Sequence, residues 1–306
     1  MKLDDLVKNL SDYSVVLAPD MNSPEWWAGA PSACLSDDGG IYLAARMREG
    51  DSPRGMRGYE LRILKSSDGQ HFDAIHQIHR EDAGLSGFER PALVKDPVSG
   101  MYRLYGCTAT ETGWAILKFR DEKDPADFDA KSAKIVLSAT SINEPFIHIG
   151  GYKDPVLYHD GEEWHMYVIA YDALERIRHF SSQYGSSWRA SSENPVMENN
   201  GWHNCYTRPA AILPVPAGYL FIYEGSNVNW RDPAYNIATG LAFSPDLNSV
   251  IDLTPHQPLL KSTTPGDYHT WRYSQWVYYK NKVFVYFEAA RPNNSNELRV
   301  AVIDMP

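Results

Sequence analysis

The feature that most constrains the fold is a three-strand pattern that occurs five times along the 306-residue chain. In each copy, a run of β-branched and aromatic residues precedes two more such runs, with Gly, Asp and Asn turns between them. The first run often has a polar start, as in Glu89-Arg90-Pro91 and Lys153-Asp154-Pro155. Prolines 31, 91, 155 and 209 mark four copies at spacings of 60, 64 and 54 residues, and Gln275 marks the fifth, 66 residues later. Repeats of this length indicate a repeat architecture.

The pattern predicts three strands in each copy. The first predicted strands are 29–35, 88–94, 153–158, 207–213 and 273–279. The second are 41–46, 101–106, 164–170, 219–224 and 283–288. The third are 59–65, 114–119, 177–182, 238–243 and 297–303. A tight turn after the third strand would lead into a fourth, outer strand such as 74–79 or 135–137, and 3–10 is at best one short helical segment.

Four-stranded units in series without intervening helices are typical of a β-propeller, in which radial repetition leaves only short, protected edges. Five units predict an all-β, five-bladed β-propeller with four-stranded antiparallel blades. The last copy ends on a third strand, so we expect residues 13–18 to supply its outer strand and close the ring. No linker composition interrupts the chain, and we expect a single domain over residues 1–306.

Composition excludes several classes of function. A net charge of −10 and a pI near 5.5 argue against a nucleic-acid binder, which needs a basic face. The three cysteines, Cys34, Cys107 and Cys205, are far apart and predict neither a zinc site nor a disulfide framework. No HExxH pattern or Gly-rich nucleotide loop occurs, so no metal and no cofactor are expected. With neither a membrane-length apolar run nor a secretory signal, the expectation is a soluble cytoplasmic protein that does not enter membranes.

Polar residues recur where a propeller would gather them. First strands line the central channel of a propeller, and their starts share one face with the ends of the second strands. The predicted funnel there holds Asp20, Arg46, Glu89, Arg90, Lys153, Asp154, Arg208, Glu224, Trp230, Arg272 and Glu288. Charged side chains over a narrow channel are costly unless they are paired or bind a ligand. The funnel is therefore the candidate site, although a channel closed only by ion pairs is an equally simple interpretation.

The chain resembles the five-bladed propeller glycosidases, the group that contains glycoside hydrolase families 43, 32 and 130. Gly151–Leu157, followed by Asp160-Gly161, is similar to their third-blade segment, and Phe88–Ala92 occupies a second-blade position where an acid also stands. Asp20–Pro24 lies where families 43 and 32 carry their first catalytic aspartate. Tyr42–Arg46 and the later Leu64–Gly69 are closer to family 130. One departure is Arg208, which stands where family 43 would have an acid.

The resemblance implies glycosidic bond cleavage by a carboxylic acid and a carboxylate, one protonating the leaving oxygen and the other activating water or attacking the sugar. On this basis the predicted catalytic residues are Glu89 as proton donor, Asp20 as base and Asp154 as the residue that orients or tunes them. The expected partner is an oligosaccharide or glycoside. The substrate-binding candidates are Arg46, Arg90, Lys153, Arg208, Glu224, Trp230, Arg272 and Glu288.

Two further alternatives stay open at the level of sequence. The basic set of Arg46, Arg90, Lys153, Arg208 and Arg272 could hold phosphate, as in family 130 phosphorylases, or an acidic sugar, because Arg pairs bidentately with both groups. The same bases could instead only neutralise the neighbouring acids. A non-catalytic propeller that binds a sugar would need only aromatic and neutral polar groups on this face, and carboxylates at several blade entries favour the enzyme.

Overall fold

The structure, a computed structural model, describes residues 8, 10–53, 55–139, 150–230, 236–262, 264, 267 and 269–304. Regular structure in these residues is nearly all β. Apart from a helical turn near Leu10, the described helices are 3-10 turns at Pro125–Asp127, Ala130–Ser132 and Gly201–His203. None of the helices in the described ranges is long and apolar enough to span a membrane.

Twenty strands form five consecutive units. Strand β1 (Ser14–Leu17) comes first. Unit 1 contains β2 (Trp27–Leu35), β3 (Ile41–Arg48), β4 (Gly58–Ser66) and β5 (Asp73–His79). Unit 2 contains β6 (Ala92–Lys95), β7 (Tyr102–Thr110), β8 (Gly113–Lys118) and β9 (Lys134–Ser138). Unit 3 contains β10 (Tyr152–His159), β11 (Trp164–Tyr171), β12 (Glu175–Ser182) and β13 (Arg189–Ala190). Unit 4 contains β14 (Tyr206–Val215), β15 (Gly218–Ser226), β16 (Ala238–Ser244) and β17 (Ile251–Asp252). Unit 5 contains β18 (Trp271–Tyr279), β19 (Lys282–Ala290) and β20 (Asn296–Asp304).

Each unit is an antiparallel meander. In units 1 to 4 the four strands pair in sequence order, first with second, second with third and third with fourth. In unit 5 the fourth strand is β1, which pairs antiparallel with β20 and places Ser14 opposite Val300. The predicted use of the N-terminal strand as the outer strand of the fifth unit is therefore confirmed.

Neighbouring units touch in a cyclic order. The first strands are in contact in the sequence β2, β6, β10, β14, β18 and back to β2. A short backbone link also joins each third strand, or the residues beside it, to the start of the next unit. These links are Phe88 N to Gly58 O, and the parallel bridges Trp114–Gly151, Glu175–Tyr206, Ile237–Thr270 and Asn296–Trp27.

The hydrophobic core lies between the units. It consists of five clusters, and each draws its buried side chains from two adjacent units, including the fifth and the first. Tyr42 of unit 1 meets Tyr102 of unit 2 edge to face, with ring centroids 5.2 Å apart. The second strands are covered on both faces, which is why β3 is buried along its whole length, with an apolar stretch from Ile41 to Ala45 followed by the buried Arg46 and Arg48.

One predicted strand is shorter than its sequence suggested. The prediction gave 88–94, but β6 begins at Ala92. Phe88 donates its backbone N–H to Gly58 of unit 1, and Glu89 donates to Cys107, so this stretch bridges two units before it joins the ladder. The proposed short helix at 3–10 lies mostly outside the described residues.

Candidate functional site

The first strands are irregular at the end where the polar residues lie. The register of β2, β10, β14 and β18 shifts near that end, between Gly29 and Ser32 in β2 and between Lys153 and Val156 in β10. Ala30, Asp154 and Tyr273 have φ values of 51°, 56° and 54° there. Left-handed backbone is unfavourable for residues with a Cβ, and a bulge redirects side chains. Asp154 and Tyr273 thus point into the centre of the molecule at a conformational cost.

Asp154 is an almost fully buried acid of the site. Its carboxylate accepts hydrogen bonds from the Tyr273 hydroxyl at 3.1 Å and the Arg90 backbone N–H at 3.3 Å, with the Cys107 thiol at 3.7 Å. Burial on its own would raise the pKa of Asp154, but the positive charges of Lys153, Arg208, Arg46 and Arg90 outweigh it and hold the pKa below its ordinary value. Asp154 is therefore ionised at neutral pH.

Glu89 lies between units 1 and 2. Arg46 of β3 donates to Glu89 and approaches Glu288 of β19 at 3.6 Å. The Glu89 side chain remains 19% exposed, whereas Glu288 is fully buried. Glu288 accepts from Arg272 at 2.7 and 2.9 Å, and also from the Asn296 amide and the Ala30 backbone N–H. Burial opposes its charge, but Arg272 and Arg46 keep the Glu288 pKa lowered.

Glu175, at the start of β12, is a site residue that the sequence analysis did not single out. Its carboxylate accepts from Arg208 and lies 3.4 Å from the Lys153 ammonium. The side chain is 11% exposed, and Lys153 is 23% exposed. Burial would raise the pKa of Glu175, but Arg208 and Lys153 lower it overall. Glu175 was missed because it begins a third strand, whereas the acids sought were at first-strand starts and second-strand ends.

Glu224 differs from the other acids of the site. Burial raises its pKa to about 7, although the charges of Arg90, Arg208 and Arg272 act in the opposite direction. Its Oε1 accepts the backbone N–H of Tyr273, and its Oε2 has no hydrogen-bond partner. At neutral pH this carboxyl is therefore partly protonated.

Two side chains cross the centre of the molecule. Arg90 of unit 2 donates to the backbone carbonyls of Pro209 and Ala210 in unit 4, at 2.9 and 2.6 Å. Tyr273 of unit 5 reaches Asp154 of unit 3. Burial lowers the pKa of Arg90, with Glu224 and Asp154 opposing that shift. The two side chains therefore connect units that are not neighbours, unit 2 with unit 4 and unit 5 with unit 3.

Half-buried aromatic rings flank the more open part of the site. The Lys153 ammonium lies 5.6 Å from the ring centre of Trp114, and the Arg208 guanidinium lies 5.0 Å from that of Tyr206. Trp114 and Tyr206 belong to the backbone bridges on either side of unit 3. The sequence analysis did not identify either ring as part of the site, because their position follows from contacts between units.

The structure brings together nine of the eleven predicted site residues. They are Arg46, Glu89, Arg90, Lys153, Asp154, Arg208, Glu224, Arg272 and Glu288, and with Glu175 and Tyr273 we call them the central cluster. Five cations face five acids in it, so nearly every charge has a counter-charge close by, as burial requires. Among the residues that the structure describes, no group of His, Cys, Asp or Glu could hold a metal ion.

Two predicted site residues, Asp20 and Trp230, make their contacts outside the central cluster. Asp20 is 42% exposed and binds Arg62 of β4 at 2.9 Å as well as the Tyr59 hydroxyl. Burial opposes its charge, but Arg62 and Tyr59 lower the Asp20 pKa. Trp230 packs against the hydrophobic cluster between units 3 and 4. Position along the chain suggested a place in the funnel for both residues, but their side chains are held by local partners.

Comparisons with known proteins identify the fold. No family profile and no curated protein matches the sequence. Among solved structures, one titled glycoside hydrolase has a TM-score of 0.76 at 14% identity, covering 99% of this chain and 95% of that one. A thermostable family-43 glycoside hydrolase has a TM-score of 0.65 at 12% identity, covering 93% and 91%. A β-1,2-mannobiose phosphorylase from Listeria innocua has a TM-score of 0.65 at 12% identity, covering 94% and 92%.

These likenesses extend over almost the whole chain at low identity, and such similarity establishes architecture rather than activity. The all-β units and their order are those of solved carbohydrate-active enzymes, both hydrolases and a phosphorylase. The chain therefore has the fold of the propeller glycoside hydrolases, and the resemblance found in its sequence motifs is confirmed at the level of the fold.

Proposed function

We propose that the protein is a closed, five-bladed β-propeller that acts as a glycoside hydrolase at the central cluster. Cyclic contact of the first strands and the five core clusters between adjacent units support the closed ring. In this arrangement the five units are the blades, and β1 completes the fifth blade. The central cluster then lies at one end of the axis.

The observation that carries the proposal is a partly exposed carboxyl, Glu89, beside a buried carboxylate, Asp154, that its surroundings keep ionised. Glycoside cleavage needs a proton donor at the leaving oxygen and an ionised partner. Asp154 accepts from the Arg90 backbone N–H, next to Glu89 in the chain, so its charge acts close to the donor. Glu89 thus acts as proton donor, and Asp154 orients and tunes it.

The substrate is an oligosaccharide or a glycoside with an accessible sugar ring. Trp114 and Tyr206 offer flat apolar surfaces on which the C–H face of a sugar can lie, and the partly exposed Lys153 lies over the Trp114 ring. Most cations of the cluster already have partners, with Arg272 on Glu288, Arg208 on Glu175 and Arg90 on two carbonyls. This pairing favours a hydrolase over a phosphorylase, since phosphate would have to displace an existing partner.

Turnover of aryl glycosides and oligosaccharides, measured with and without inorganic phosphate, tests the proposal. We expect hydrolysis without phosphate, and Glu89→Gln should lower kcat/KM on oligosaccharides at least ~100-fold. The loss should be smaller on aryl glycosides with acidic leaving groups, because these need little protonation. Glu297→Gln, at a buried carboxylate paired with Arg291 and Arg299 outside the central cluster, serves as the control.

Each result has a separate meaning. Turnover that depends on phosphate would show that the protein is a phosphorylase and not a hydrolase. Saturable sugar binding without turnover would identify a binding protein. An unchanged rate for Glu89→Gln on every substrate would remove Glu89 from the reaction.

A further inference from the structure

We propose that Glu175 is the second catalytic carboxylate and acts as the base that activates water opposite Glu89. The inference rests on the proposed function, since it assigns a role at the same site. It also replaces Asp20 in that role, because Asp20 binds Arg62 and Tyr59 on β4.

Exposure separates the acids of the central cluster into two groups. Asp154 is 1% exposed, and Glu224 and Glu288 are fully buried. Only Glu89 and Glu175 combine a place in the cluster with a side chain that solvent reaches. A substrate that enters from the open end can touch these two carboxyl groups first.

The chain fixes Glu175 firmly in this position. Its backbone forms the bridge to Tyr206 at the boundary of units 3 and 4, and its carbonyl accepts from the Asn199 amide at 3.1 Å. Arg208 and Lys153 hold the carboxylate from those same two units. A charged group whose backbone and side chain are both held by hydrogen bonds or ion pairs is suited to catalysis, because it needs little reorganisation during the reaction.

The two open carboxyl groups lie on different sides of the cluster. Arg46 holds Glu89 at the boundary of units 1 and 2, whereas Glu175 is held at the boundary of units 3 and 4. Side chains from opposite sides of a sugar suit an inverting reaction, which needs room for a water molecule between the anomeric carbon and the base. The aromatic rings of Trp114 and Tyr206 flank the Glu175 side of this space.

The chemical step then balances as follows. Glu89 gives its proton to the glycosidic oxygen as the bond from that oxygen to the anomeric carbon breaks. Water adds its oxygen to the anomeric carbon and gives a proton to the Glu175 carboxylate. The products are a sugar of inverted configuration and the released alcohol, and exchange with solvent returns the proton to Glu89.

The test compares Glu175→Gln and Glu175→Ala with the wild type on a substrate that the wild type hydrolyses. Glu297→Gln is the matched control, since Glu297 is also 11% exposed and paired with two cations, Arg291 and Arg299. We expect Glu175→Gln to lose at least ~100-fold in kcat with little change in KM, and to lower Tm about as much as Glu297→Gln does, since both remove a carboxylate paired with two cations. Added azide should restore turnover of Glu175→Ala and yield a glycosyl azide, which a merely structural residue would not produce. The wild-type product should have inverted anomeric configuration by NMR.

Near wild-type kcat in Glu175→Gln would overturn the inference and leave the proposed function intact. A large loss in Asp20→Asn, with Glu175→Gln active, would return the base role to Asp20. Loss of Tm in both Glu175 variants without azide rescue would make the residue structural and also overturn the inference. Absence of wild-type turnover on every glycoside would instead reject the proposed function itself.

Discussion

At the scale of single residues, Glu224 is the most unusual group in the molecule. It is a fully buried acid with one oxygen that has no hydrogen-bond partner, and burial raises its pKa to about 7. Arg90, Arg208 and Arg272 face it from units 2, 4 and 5 and reduce this shift. The folded protein therefore favours the protonated, neutral form of Glu224 more strongly than the unfolded chain does.

The raised pKa of Glu224 predicts the direction in which the stability of the protein changes with pH. As the pH rises from about 4.5 to 7, the unfolded chain loses this proton before the folded protein does, so stability should fall. At one pKa unit per ~1.4 kcal/mol, the loss is on the order of 3 kcal/mol. Glu224→Gln cannot ionise, so its free energy of unfolding relative to the wild type should increase across this window. Urea denaturation at pH 5 and pH 8 measures the difference, and equal wild-type and variant slopes would contradict it.

Sequence reasoning anticipated that most residues of the cluster would lie close together, because the polar starts of first strands meet in a repeat architecture. It failed where position depends on contacts between units. Glu175 and Trp114 stand on third strands, next to the bridges to the following units, and no local pattern marks them. Asp20 was placed by analogy with a motif, but its carboxylate is bound to Arg62 and Tyr59.

At the scale of elements, β1 is the strand whose position decides how unit 5 is completed. Val15 is half exposed, whereas Val16 and Leu17 both pack on the core cluster between units 1 and 5. The prediction of an outer strand at 13–18 is confirmed by the pairing of β1 with β20. The start of β6 was mispredicted because Phe88 and Glu89 pair with Gly58 and Cys107 outside the ladder with β7.

Val15 and Val16 of β1 provide a matched pair of variants, one at an exposed and one at a core-facing position. Val16→Asp should destabilise the protein by about 2 kcal/mol or more, because it places a charge against an apolar cluster. Val15→Asp makes the same change one residue earlier on the solvent side and should stay within about 0.5 kcal/mol of the wild type. Chemical denaturation of both variants tests the pairing of β1 with β20, and equal effects would argue against it.

At the scale of the whole molecule, the central cluster links the units electrostatically. Arg46 joins unit 1 to the acids of units 2 and 5, Arg208 of unit 4 joins Glu175 of unit 3, and Arg90 crosses from unit 2 to unit 4. The fivefold pattern could be predicted from the sequence because each unit repeats the same three strand-like runs. The pairing of charges across units could not be predicted, since the partners are distant in the chain.

Acid should therefore unfold the molecule as one unit. Asp154, Glu175 and Glu288 have pKa values lowered by their cationic neighbours, so the stability they add is present above their unfolded pKa values and is lost as the pH falls through the folded ones. We expect a steep fall in Tm below about pH 4.5, with near-UV and far-UV circular dichroism changing together. Two separate transitions would show that the units unfold independently.

The pairing of β1 with β20 also sets the order in which the protein can be completed during synthesis. Among the described strands, β1 leaves the ribosome before all the others and β20 after them, so unit 5 cannot assemble until the strands between them have been made. Until then β1 has no partner strand, and the apolar faces of units 1 and 5 that meet in the shared core cluster remain uncovered. Contacts between such distant segments are slow to form, and exposed strand edges favour aggregation. Closing the last unit is thus the step at which a growing chain most needs protection from its neighbours.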